Sequence, residues 1–417
     1  METLFFSPFI ILAIACALGF FAAWGIGAND VANAMGTSVG SKALTLKQAV
    51  IIAAIFEFFG AFLAGGEVTS TIRKGIVDPL LYQDDVNIFI VGMMATLLAT
   101  GSWLMIASRN GWPVSTTHSI VGAIVGFVLI TKGSGAVSWD KIFEIATSWI
   151  TSPLISALLA FLIFKSVKIF IIDSNNRSKA AVNLIPIYVI FVVFVILQVT
   201  FRKGLVHIGL VWENSEIIQY SLILSLLIGI ISFLYLRSRS SDFGSKAGIE
   251  TAFSLLMVVA ACAMAFAHGS NDVANAIGPL AAIASIASSG GVIESNATVS
   301  PLILLLGGVG IVTGLAMYGH KVIKTVGEKI TKLTPSFGFS ANIATASTVV
   351  FASYLGFPIS TTHTLIGGVI GVGLANSIKE IDWRSVINIF MSWLITIPVG
   401  AIFTILFYVI LRVLFGV

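Results

Sequence analysis

Asn29, Asp30 and Asn33 recur as Asn271, Asp272 and Asn275, inside octapeptides Gly27–Ala34 and Gly269–Ala276 that agree at seven of eight positions. The i, i+1, i+4 spacing sets both Asn on one face of a helix with the Asp beside them. Carboxylate and amide oxygens are hard ligands, suited to small hard cations; a proton would need the carboxylate alone. Gly25, Gly27 and Gly36 flank the first copy, and Gly269 and Gly278 the second. These glycines permit unwinding that would free backbone carbonyls for coordination. Interhelical hydrogen bonding would account for the Asn residues. It accounts poorly for two Asp in strongly apolar surroundings with no cationic partner in the motif.

A second pair of motifs offers the opposite chemistry. Pro113-Val-Ser-Thr-Thr-His118 returns as Pro358-Ile-Ser-Thr-Thr-His363. Ser115, Thr116 and Thr117, like Ser360, Thr361 and Thr362, place consecutive hydroxyls at the start of a short helix. Hydroxyls, free backbone N–H groups and the positive end of the helix dipole together make an anion site that needs no Arg. Simple N-capping explains one hydroxyl per copy, not three. His118 and His363 can donate to an anion or complete a local network. Glu57 is a lone acid within an apolar span, and the corresponding stretch of the second half, near Leu304, has none. It reads equally as a proton or cation stop and as a neutralised structural acid. His268 borders the second Asn-Asp motif without a counterpart at the first, and the sequence assigns it no role.

The chain that must position these groups has 417 residues, 57% hydrophobic and 10% charged, with a mean hydropathy of +1.02. An ordinary soluble domain carries about 25% charged residues. Apolar spans read at 4–26, 46–65, 87–107, 119–131, 142–164, 184–201, 217–236, 251–268, 300–318, 340–355, 364–376 and 386–414. Most reach the roughly 20 residues that cross a bilayer. The net charge of +4 lies mainly in loops and acts as an orientation signal, not as nucleic-acid affinity. Cys16 and Cys262 fall inside apolar runs at corresponding places, which suits packing and not a disulfide. The N-terminal apolar run lacks a basic leader and reads as a retained helix.

Spans 119–131 and 364–376 are short, and each follows a Ser-Thr-Thr turn. That pattern predicts a helical hairpin dipping into the membrane with the turn at its tip, tolerated there only where protein or water surrounds it. The expected fold is an all-α polytopic membrane protein of two inverted-topology repeats. Each repeat has a broken, polar helix, a second span, a re-entrant hairpin and a closing helix. Repeat 1 covers 1–164 and repeat 2 covers 251–417; the linker and two motif-free helices lie in 165–250. With both termini outside, fifteen Lys and Arg fall in internal loops against seven outside, as the positive-inside rule favours. Loop 277–299 has no Lys or Arg and falls outside. Gly122, Gly126, Gly367, Gly368 and Gly371 read as close-packing positions.

Inverted repeats with interrupted helices are the architecture of secondary transporters, with the site near the midplane. A channel need not have that symmetry. A hydrolase built on Ser115 with His118, or Ser360 with His363, has no need of two copies, so no enzyme is expected. The two Gly-x-Asn-Asp-Val-Ala-Asn-Ala copies resemble the duplicated signature of the PiT family of inorganic phosphate transporters. The resemblance implies phosphate uptake driven by a Na⁺ or H⁺ gradient, and relatives in the wider family carry sulfate. The absence of a long hydrophilic central loop suggests a compact prokaryotic form in the cytoplasmic membrane. The combined expectation is phosphate held by Ser115, Thr116, Thr117, Ser360, Thr361 and Thr362 with Asn33 and Asn275. Sodium is held by Asn29, Asp30, Asn271 and Asp272, with a proton as the alternative. Glu57, His118 and His363 are accessory candidates. No other cofactor is expected; the partners are phosphate, sodium, the lipid bilayer and, by analogy, a second copy of the chain in a homodimer. Two Asp and a phosphate in a low-dielectric site repel by several kcal/mol, so cations must neutralise them before the loaded carrier moves.

Overall fold

In a bilayer each backbone N–H and C=O must find its partner within the chain, and the apolar runs answer by forming helices. The computed structural model describes residues 4–201, 212–293, 299–329 and 333–417, and among them no strand occurs. The first half contains α1 (Pro8–Gly40), α2 (Leu46–Ala64), α3 (Gly66–Lys74), α4 (Val86–Arg109), α5 (Thr116–Thr131) and α6 (Trp139–Val167). Helices α7 (Arg177–Val199) and α8 (Asn214–Ser238) intervene. The second half contains α9 (Lys246–Asp272), α10 (Ala274–Ser288), α11 (Pro301–Lys329), α12 (Pro335–Tyr354), α13 (Thr361–Asn376) and α14 (Trp383–Phe415). Nine helical runs among the described residues are long and apolar enough to cross a membrane. The chain is a multi-pass membrane protein.

The halves correspond element by element: α1 with α9 and α10, α2 with α11, α4 with α12, α5 with α13, α6 with α14. Their packing is reciprocal and crosses between halves. Helix α1 lies on α11 as α9 lies on α2, and α5 lies on α14 as α13 lies on α6. Glycine makes these crossings close. A Cβ at Gly122 would run into the carbonyl of Ile397, and one at Gly126 into the backbone of Ala401. Gly367 and Gly371 press equally on Pro153 and Ala157, and Gly368 meets the Thr345 side chain and the Ala341 carbonyl. Each hairpin therefore packs its second arm on the other half's closing helix. The two hairpin tips meet directly: Thr117 Oγ1 donates to Ile359 O at 2.9 Å and Thr362 Oγ1 donates to Val114 O at 3.2 Å.

Three local expectations change. First, α1 runs unbroken from Pro8 to Gly40 through the whole Asn-Asp motif, well past residue 26. An interruption occurs only in the second half, at Val273 between α9 and α10. The motif glycines serve contact instead of unwinding: a Cβ at Gly27 would strike the Ile311 carbonyl, and one at Gly269 the Glu57 carbonyl. Second, those equivalent contacts make Ile311, not Leu304, the counterpart of Glu57. The second half has 12 more residues between the motif and this contact (Ala276 to Ile311 against Ala34 to Glu57), which shifts the alignment. Third, the stretch read as loop 277–299 is helical as far as Ser288. Its Ala and Ile residues are buried against neighbouring helices, and packing overrides the proline at 279. Residues 294–298 lie outside the described residues.

Candidate functional site

Ser115 and Ser360 set the geometry by capping their helices. Ser115 Oγ accepts from His118 N and Ser360 Oγ from His363 N, each at 3.2 Å. The cap leaves two Thr in each first turn, whose N–H groups have no intrahelical partner. Thr116 Oγ1 donates to Asp30 Oδ2 at 2.7 Å, and Thr361 Oγ1 to Asp272 Oδ2 at 2.5 Å. Asn33 Nδ2 reaches the opposite hairpin, donating to Thr361 Oγ1 at 3.2 Å and Thr362 Oγ1 at 2.9 Å. Asn275 Nδ2 does the same to Thr116 Oγ1 at 3.2 Å and Thr117 Oγ1 at 3.3 Å. One turn of helix thus separates a residue that binds its own hairpin from one that binds the other. Every residue of the two motifs named here is at most 4% exposed, so the centre is closed to solvent.

Asn29 and Asn271 point elsewhere, into hairpin backbone. Asn29 Nδ2 donates to Trp112 O at 2.8 Å and Ser108 Oγ at 3.3 Å, while its Oδ1 accepts from Val114 N at 3.1 Å. Asn271 Nδ2 donates to Phe357 O at 3.2 Å and Ser353 Oγ at 3.0 Å, and its Oδ1 has no partner.

The sequence reading missed the residue at the heart of the site. His268 is fully buried, with Nε2 2.9 Å from Asp272 Oδ2 and 3.7 Å from Asp30 Oδ2, and Nδ1 3.3 Å from Glu57 Oε1. Ligand atoms of Asp30, His268 and Asp272 all lie within 4.8 Å of one another. The repeat-related positions are Ile26 for His268 and Ile311 for Glu57, both wholly buried. A polar His–Glu pair thus faces an apolar Ile–Ile pair across an otherwise repeated core. A usable signal was present: His268 stands one helical turn before Asp272 in an apolar run. Its contact with Glu57, across more than half the chain, was not readable.

Charge is unbalanced here. Three buried carboxylates meet one imidazole, the one side chain able to carry positive charge within ion-pair distance among the described residues. Asp30 Oδ1, Asp272 Oδ1, Asn271 Oδ1, Asn275 Oδ1 and both Glu57 oxygens are buried acceptors without a hydrogen-bond partner. Such a set calls for bound cations or protons. Beside it, α5 and α13 point their N-termini at each other, a doubled anion-attracting field lined with hydroxyls.

His118 and His363 stand just behind the Thr pairs, with ring centroids 4.4 Å apart. Their Nδ1 atoms face Trp393 O at 3.3 Å and Trp149 O at 3.4 Å, so each Nδ1 carries the proton. They join hairpins to closing helices. No Ser-to-imidazole bond of a hydrolase forms, since each Ser Oγ meets the His backbone instead.

Inverted repeats, interlocked hairpins and a solvent-closed polar centre fit a transporter of the membrane. The chain belongs to the phosphate transporter family, whose pattern it matches over residues 26–404; it is a transporter of phosphate and not an enzyme. It is 50% identical to the protein named "Putative phosphate permease" of Haemophilus influenzae, over 97% of each chain. It is 43% identical to "Inorganic phosphate transporter 2-1, chloroplastic" of Arabidopsis thaliana, over 93% of this chain and 70% of that one. A solved structure described as "The sodium-dependent phosphate transporter" superposes with a TM-score of 0.91 and 38% identity, over 97% of this chain and 99% of the other.

Proposed function

We propose that this protein imports inorganic phosphate by symport with sodium. The observation that carries the reading is the set of unpartnered buried oxygens on Asp30, Asp272, Asn271 and Asn275, directly beside two converging helix N-termini. Phosphate lies between the tips, held by Thr116, Thr117, Thr361 and Thr362 and by first-turn N–H groups, with Asn33 and Asn275 bridging the hairpins. Ser115 and Ser360 complete the hydroxyl rows while holding the caps. Sodium neutralises Asp30 and Asp272, with Asn271 as a further oxygen ligand. The sodium dependence of the structural relative supports the cation assignment. Coupling follows from electrostatics, because anion and carboxylates together are too strongly charged to move through a low-dielectric interior without their counterions.

Proton coupling is the second reading, favoured by His268 among three acids. Uptake of ³²P-phosphate into proteoliposomes, with Na⁺ replaced by choline at fixed pH, decides between them. Sodium coupling requires uptake to fall to background; undiminished uptake that follows a pH gradient establishes the proton. Competition by sulfate tests the substrate. In the cell membrane, both termini lie on the outer face by the distribution of basic residues. Assembly as a homodimer, expected by analogy, is tested by the mass of the detergent-solubilised protein.

A further inference from the structure

Two cavities approach the centre from opposite ends of the molecule, and they are related by the internal repeat. One, of about 490 Å³, is lined by Asn388 and Ser392 of α14 and closed at its inner end by Trp112 and Pro113 of the first hairpin tip. The other, of about 730 Å³, is lined by Glu144 and Ser148 of α6 and closed by Phe357 and Ile359 of the second tip. Glu144 aligns with Asn388, Ser148 with Ser392 and Trp112 with Phe357 in the two halves.

The wall between each cavity and the buried site is a single stretch of hairpin tip. On the cavity side it shows the side chains of Trp112 or Phe357. On the site side it shows backbone, and Asn29 or Asn271 grips that backbone. We propose that the two cavities are the access vestibules of the carrier, that the hairpin tips are its gates, and that Asn29 and Asn271 are the latches. Withdrawing a tip by the width of a side chain joins vestibule to site, and the bonds that must break are those of the Asn together with the two tip-to-tip bonds of Thr117 and Thr362.

The latches differ. Asn29 holds its tip through both Trp112 O and Val114 N. Asn271 holds the equivalent tip through Phe357 O alone, and its Oδ1 is left without a partner. At its Asn latch the gate toward α6 is one hydrogen bond short, while Thr71 Oγ1 of α3 donates to Gly356 O on the same tip at 2.8 Å. On the orientation expected from the basic residues, that gate faces outward, as an importer requires. The inference rests on the carrier reading but not on the identity of its cargo.

Thiol labelling tests it without any substrate, so its failure is separable from failure of the phosphate reading. In a Cys16→Ala, Cys262→Ala background, Ser148→Cys should react with a membrane-impermeant maleimide from outside only, and Ser392→Cys from inside only. Labelling of both from one face overturns the vestibule assignment. Reporters behind the walls are Ser115→Cys and Ser360→Cys, at positions 1% exposed that line neither cavity. Asn29→Ala should raise Ser115→Cys labelling from inside about tenfold, the scale of one or two lost hydrogen bonds. Asn271→Ala should do so for Ser360→Cys from outside. If an Asn variant fails to fold, Ser108→Ala and Ser353→Ala remove one latch partner each and should shift labelling the same way. Folded variants with unchanged rates, or faster labelling from the opposite face, overturn the latch.

Discussion

His268 stands 2.9 Å from Asp272 through Nε2, and the same atom lies 3.7 Å from Asp30 on the other repeat. One imidazole thus spans the two motif carboxylates and, through Nδ1, also faces Glu57.

Removing that imidazole leaves three buried carboxylates with no protein cation near them. His268→Gln is expected to lose about 3–5 kcal/mol of stability in sodium-free buffer, the usual cost of breaking a buried pair. Added sodium should restore part of it, so that melting temperature depends on sodium more steeply than in the parent. Thermal unfolding across a sodium series measures this. Equal melting curves for variant and parent at every sodium concentration would show that His268 balances no charge.

Asp30→Asn and Asp272→Asn keep shape and the Thr116 or Thr361 hydrogen bond while deleting a charge. Each is expected to abolish sodium-coupled phosphate uptake in proteoliposomes while eluting as a folded protein on size exclusion. Uptake with parental sodium dependence in either variant would misplace the cation sites.

The Thr hydroxyls separate ligand from scaffold. Thr117→Ala and Thr362→Ala delete a donor at the centre and also break a tip-to-tip bond. Phosphate affinity should fall by about ten- to a hundredfold, matching the 1.5–3 kcal/mol of a hydrogen bond to a charged group. Thr117→Ser and Thr362→Ser keep the hydroxyl and should stay within a few-fold of the parent. Equilibrium binding of ³²P-phosphate gives both numbers, and an Ala variant that binds like its Ser twin would remove the hydroxyl from the site.

Glycine at the crossings has a checkable cost. Gly122→Ala and Gly367→Ala push a methyl into the carbonyls of Ile397 and Pro153. Overpacking of this kind costs about 1–3 kcal/mol. Gly135→Ala meets nothing within 4 Å and should leave stability within about 0.5 kcal/mol. Thermal melts of the three in detergent should order them accordingly; Gly122→Ala melting with Gly135→Ala would deny the close crossing.

The candidate residues are readable because their signals are local. Asp30 and Asp272 stand out as acids in apolar runs, and the Ser-Thr-Thr turns announce a helix start after a proline. What misled was the glycine. Beside Asn-Asp it reads as a hinge, yet Gly27 and Gly269 serve to admit a neighbouring backbone, a need that only the packed neighbour reveals. Asn29, an ion-ligand candidate, also meets the backbone of a hairpin tip more than eighty residues away in sequence, a contact no local signal shows.

Composition, duplication and motif order sufficed for a helical, internally repeated membrane transporter, because hydropathy and repetition are properties of the chain itself. Which Thr each Asn grips, that α5 lies on α14 and not on α6, and that His268 meets Glu57 were decided by tertiary structure. Those pairings depend on how helices distant in sequence cross one another. No stretch of sequence short enough to read carries both partners.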